Sequence, residues 1–100
     1  MPHKIEDLKP CIATVQADNE RVRVTRYTFP PGTDTGWHTH GHDYVVVPTR
    51  AGTLTIIDKD GSTRDVDYVP SESYFRTLGA EHDVANLSDN TVEFVEIELK

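Results

Sequence analysis

Nearly every segment of this 100-residue chain alternates apolar and polar residues with period two, then stops at Gly, Pro, Asn or Asp. Side chains on a strand alternate faces, so this is the pattern of short β-strands, whereas a helix needs a stripe at every third or fourth position. Run 21–29 (RVRVTRYTF) is β-branched and aromatic and ends at Pro30-Pro31-Gly32, which favours a turn. Residues 44–47 form a short apolar strand ended by Pro48. Runs 53–57 and 63–69 flank Asp60-Gly61, a hairpin signal, and should pair. Runs 73–76, 83–86 and 92–99 supply three more strands. The one helical candidate is a turn at 5–8, cut off by Pro10. The expected fold is all-β, a single antiparallel sandwich or barrel spanning residues 1–100. In the last run, Val95, Ile97 and Leu99 share one mainly apolar face, while Phe94, Glu96 and Glu98 share the other. Carboxylates are seldom buried unpaired, so Glu96 and Glu98 are read as solvated.

Seventeen acidic against ten basic residues give a net charge of -7, the wrong sign for holding a phosphate backbone or an anionic lipid surface. Nucleic acid and membrane are therefore excluded as expected partners. A hydrophobic fraction of 36% leaves no room for a membrane span and is thin for an isolated small domain, which invites a homodimer. Candidate contacts are Val95, Ile97 and Leu99 and the aromatic face of Tyr27 and Phe29. The first seven residues, Met1-Pro2-His3-Lys4-Ile5-Glu6-Asp7, have no apolar stretch behind a basic start, so no leader is expected and the location is read as cytoplasmic. Cys11 stands alone and receives no role.

His38-Thr39-His40 carries the chemistry. Two histidines one residue apart on an extended strand project from the same face, and a divalent ion fits between them. His82, delivered from a later strand, is the third corner of the site. His42 lies too far along a straight strand to share that ion, and Gly41 is expected to bend the chain there and put His42 near the rim or the surface. Imidazole ligands accept most first-row divalent ions, so iron, zinc, manganese and nickel all remain open.

Gly32, His38, His40 and Gly52, followed by Gly79, His82 and Asn86, resemble the two sequence motifs of the cupin superfamily, over about residues 25–98. The resemblance implies a cupin-type antiparallel β-barrel of the jelly-roll kind. It also implies one divalent metal, bound here through His38, His40 and His82. The first motif usually continues with a glutamate ligand four or five residues after its second histidine, where this chain has Tyr44 and Val45. Asp43 is one residue out of phase with Tyr44, and a one-residue slip reverses the face. Tyr44 is accordingly expected to point inward in the place of the glutamate, as the candidate catalytic residue that hydrogen-bonds a metal-bound water or else simply packs there. Trp37 and Arg26 are the candidate substrate contacts, Arg26 as a carboxylate clamp if its strand face is the inner one; Arg76 carries the same two readings. Asn86 is expected to bond turn backbone. Resemblance to small metal-dependent cupins implies an enzyme acting on a small-molecule ligand, either a three-histidine iron dioxygenase or an isomerase or lyase using the metal as a Lewis acid. A non-enzymatic binding or sensor module with a structural metal is the alternative, and a metal-free barrel the third.

Overall fold

The chain is described by a computed structural model covering residues 3–100. Met1 and Pro2, where the expectation about a leader begins, lie outside the described residues. Among the described residues eleven strands follow a single 3-10 turn, Ile5–Asp7: β1 (Lys9–Pro10), β2 (Ile12–Asp18), β3 (Val22–Phe29), β4 (Thr33–Asp34), β5 (His38–Thr39), β6 (Asp43–Arg50), β7 (Gly52–Ile57), β8 (Thr63–Tyr68), β9 (Tyr74–Arg76), β10 (Glu81–Asn86) and β11 (Val92–Leu99). One sheet runs β1-β4-β10-β7-β8, with β5 also paired to β10; the other runs β2-β3-β11-β6-β9. The pairings are antiparallel except β1 with β4. Among the described residues no helix is long and apolar enough to cross a membrane.

The fold is all-β and of jelly-roll type, but its two sheets are not closed into a barrel as the sequence suggested. Closure needs ladder bonds between outermost strands, and β2, β9, β1 and β8 end their sheets without them. The core is instead the space between the two layers. Phe29, Tyr44, Val46, Val92 and Phe94 from one sheet meet Leu54, Ile56, Tyr68 and Val84 from the other.

Local chemistry explains the register. The β7–β8 hairpin turns where Asp58 N–H donates to Ser62 O and Gly61, at φ 86°, donates to Asp58 O. Thr53 and Thr55 then bond Asp67 and Asp65 directly across the ladder, at 2.7 and 2.9 Å. Asn86 is fully buried; its amide donates to Phe29 O and Asn90 O, while its Oδ1 accepts from Ser88 N–H and Oγ–H. It closes the turn before β11, as its residue type suggested.

Two strand readings are corrected. Strand β6 does not stop at Pro48 but runs on to Arg50. The β6–β11 register slips here, from Pro48↔Phe94 to Arg50↔Glu93, and β9 pairs only Tyr44 to Val46, so Pro48 sits where no N–H is needed. In β11 the alternation holds, but Phe94 and Glu96 point inward and are buried, while Val95, Ile97 and Leu99 point out. Glu96 is therefore not solvated. It is tolerated inside because it borders a cavity rather than packed core.

Candidate metal centre

The register between β5 and β10 builds the centre. His82 is the direct cross-strand partner of His38, which brings their β-carbons to about 5 Å. His40 lies just past β5, held by two backbone bonds to the following turn: its N–H donates to Ala80 O at 2.8 Å, and Gly79 N–H donates to its carbonyl at 2.7 Å. Gly79 takes φ 94°, a conformation that side chains resist. The same turn is anchored by Asp43, whose Oδ1 accepts Leu78 N–H at 2.8 Å. Asp43 is thus a turn anchor and not part of the histidine cluster, and His42 also lies outside it.

The three imidazoles converge through their Nε2 atoms. His40 Nε2 lies 3.0 Å from His38 Nε2 and 3.1 Å from His82 Nε2. His38 Nδ1 is 2.9 Å from Gly36 O, an atom that can only accept, so Nδ1 carries the proton and Nε2 offers a lone pair. A single proton on His40 Nε2 can point at one neighbour or the other, never both. One cation among the three nitrogens removes that conflict. Metal–nitrogen bonds of about 2.0–2.1 Å put two nitrogens on one ion roughly 3.0–3.4 Å apart, the spacing His40 makes with each of the other two, and all three ligand atoms lie within 4.8 Å of one another. Burial, with the neighbouring histidines next, pushes the pKa of His40 down to about 4. Burial pushes His82 to about 4 as well, followed by His38 and, more weakly, by the charges of Arg64 and Arg76. Both are in the neutral, ligating form at neutral pH.

The centre opens into a small cavity of about 40 Å³ that reaches solvent. Tyr44 lines it, 3% exposed, with its ring stacked on His40. Of the expected substrate contacts, Arg26 is exposed on the outer face of β3, because Thr25, Tyr27 and Phe29 hold the inner one, and Trp37 is half exposed on the β4–β5 loop. Neither lines the cavity. Its charged lining is Arg64, Arg76 and Glu96. Arg64 was legible in principle, since it shares strand parity with Val66 and Tyr68, both of which also line the cavity. Arg76 lies over the Tyr74 ring at 4.7 Å, and Tyr74 shares a 3.0 Å hydroxyl contact with Tyr68.

No family model matches the chain. It is 49% identical to the beta-alanine degradation protein BauB of Pseudomonas aeruginosa over 89 residues, covering 89% of this chain and 93% of that protein. A solved cupin domain from Bordetella pertussis Tohama I is 48% identical, with a TM-score of 0.88 over 93% of this chain and 96% of that one. An RmlC-like cupin with a double-stranded β-helix fold from Methanocaldococcus jannaschii shares the fold at 13% identity, with a TM-score of 0.75 over 99% of this chain and 88% of its own.

Proposed function

The chain belongs to the cupin superfamily, and on that footing we propose that it is a metal-dependent enzyme acting on a small carboxylic acid, in the breakdown of β-alanine or a similar short amino acid. The observation that carries this reading is the convergence of three histidines, with no fourth side-chain ligand among the described residues, on a cavity that reaches solvent. Structural metal sites favour closed four-ligand spheres, whereas an open position suits chemistry. A bound divalent ion would supply Lewis-acid polarisation or, as ferrous iron, dioxygen chemistry.

The protein's own residues supply the rest. Arg76, and to a lesser degree Arg64, which is paired to Asp58 at 3.3 Å, offset the chain's net negative charge locally and give an incoming carboxylate a positive approach to the site. Val46, Ile56, Val84 and Phe94 make the wall apolar, which strengthens every polar contact made inside. Gly36 and Tyr44 hold two of the ligand rings in place. The name of the 49% identical relative supports an amino-acid-derived substrate.

The test is elemental analysis of the purified protein, followed by oxygen uptake and product analysis with ferrous and zinc forms on β-alanine and its keto-acid and aldehyde relatives. Metal-dependent turnover supports the enzyme. Tightly held metal with no turnover and no ligand-dependent change at the metal would replace it with a structural or sensor role.

A further inference from the structure

The inner face of β11 places one carboxyl group deep in the fold. Glu96 is 5% exposed, opposite Thr25 on β3 and Val46 on β6. Among the described residues no hydrogen bond or ion pair reaches it, and no sealed side-chain oxygen or nitrogen lacks a partner, so what Glu96 leaves accessible opens on the cavity it lines. A carboxylate largely withdrawn from water and without a protein partner is disfavoured in its charged form. Burial, and then the charge of Glu98, push its pKa up to about 7. Its surroundings do not neutralise it: β11 offers Glu98, β3 offers Tyr27, β6 offers Tyr44, and β9 offers Tyr74 and an Arg76 whose guanidinium lies over the Tyr74 ring.

The same cavity holds Arg64, Arg76 and the three histidines. Arg76, a metal centre and an Arg64 already paired to Asp58 at 3.3 Å receive a carboxylate, while an unpartnered carboxyl group receives a cation or a strong N–H donor. A small molecule carrying only a carboxylate would leave Glu96 unsatisfied beside it. A short amino acid satisfies both ends.

We propose that Glu96 is the specificity-determining residue of the cavity, accepting hydrogen bonds from the ammonium group of a short amino-acid zwitterion whose carboxylate faces Arg64, Arg76 and the three-histidine centre. This rests on the reading of that cavity as the substrate site. It accounts for a buried acid on the central strand of its sheet, where an apolar residue would pack at lower cost.

The experiment is calorimetric titration of the zinc-loaded protein with β-alanine and with propionate, which has the same carbon chain and no amine. At about pH 8.5 Glu96 is ionised and most of the amine still carries its proton. β-Alanine should bind about tenfold more tightly than propionate or better, the discrimination one charge-assisted hydrogen bond supplies. Glu96→Gln, nearly isosteric and relieved of a buried charge, should lose that preference while keeping its zinc stoichiometry and its propionate affinity. Equal binding of the two ligands to the unsubstituted protein overturns the proposal yet leaves the cavity as a carboxylate site, and so does a preference that survives in Glu96→Gln. Binding of neither ligand overturns both this assignment and the substrate-site reading.

Discussion

The ring of Tyr44 lies on the imidazole of His40, with 3.9 Å between centroids and 19° between planes. Tyr44 thus occupies the inward position expected of it, and its ring stacks on His40. Tyr44→Phe keeps the stack and should leave zinc affinity within about threefold. Tyr44→Ala removes it and should weaken zinc by about tenfold, the scale typical of residues that orient ligands. Tyr44→Glu should add a carboxylate and tighten manganese, a harder ion. Competition with a chelating dye measures all three, and a Tyr44→Ala protein with unchanged affinity would show that the stack does not hold the ligand.

Each of His38, His40 and His82 is required if three nitrogens hold one ion. Alanine at any of them should abolish stoichiometric metal at micromolar protein, while His42→Ala keeps it, because His42 lies outside the cluster. Zinc at a hundred times its dissociation constant should raise the stability of the unsubstituted protein by about 2.7 kcal/mol and that of His82→Ala by almost nothing. Elemental analysis paired with thermal melts decides it. With pKa values near 4, His40 and His82 should not compete protons against the metal between about pH 5 and 8.

The histidine centre was legible because its three members are few, chemically distinctive and set by strand parity. The Asp60-Gly61 hairpin was legible for a similar reason: its turn chemistry is local. Which face of a strand points inward is decided by the partner sheet, and there parity alone misled. In β11 the acidic Glu96 and Glu98 look solvated, yet the opposite sheet covers Phe94 and Glu96. The same rule decided Arg26, which β3 turns outward, and Arg64, which β8 turns toward the cavity. Strand β2 escaped notice because all seven of its residues are exposed, so no buried face marks it and only its pairing with β3 defines it.

The outward row on β11 continues across the sheet. Val24 on β3 pairs with Ile97, and Val45 and Val47 on β6 pair with Ile97 and Val95, while Phe75 on β9 pairs with Val45 and is half exposed. A two-layer fold whose outer face is this apolar is expected to cover it with a second copy. Phe29 cannot contribute, being fully buried in the core. The expected mass by light scattering at tens of micromolar is that of a dimer, and Ile97→Arg should yield a folded monomer. A monomeric unsubstituted protein removes the proposal.

Glu96 also writes a pH dependence into stability. Its carboxyl ionises near 4.5 when unfolded and near 7 in the folded chain, so between these values the folded state holds the extra proton. Stability then falls as pH rises through that window, by up to about 3 kcal/mol in all, and levels off above about pH 7, where both states are ionised. The buried histidines act in the opposite direction between about pH 4 and 6.5, so the raw stability curve mixes the two. Subtracting the curve of Glu96→Gln isolates the carboxyl, because the histidines are common to both proteins. Urea melts of the two metal-free proteins should show the substitution gaining stability steadily from about pH 4.5 to 7, with the Gln protein the more stable at pH 8. Parallel curves over that range would mean that the Glu96 carboxyl meets water in the folded state, and the cavity would then lack the desolvated acid on which its recognition of an amine depends.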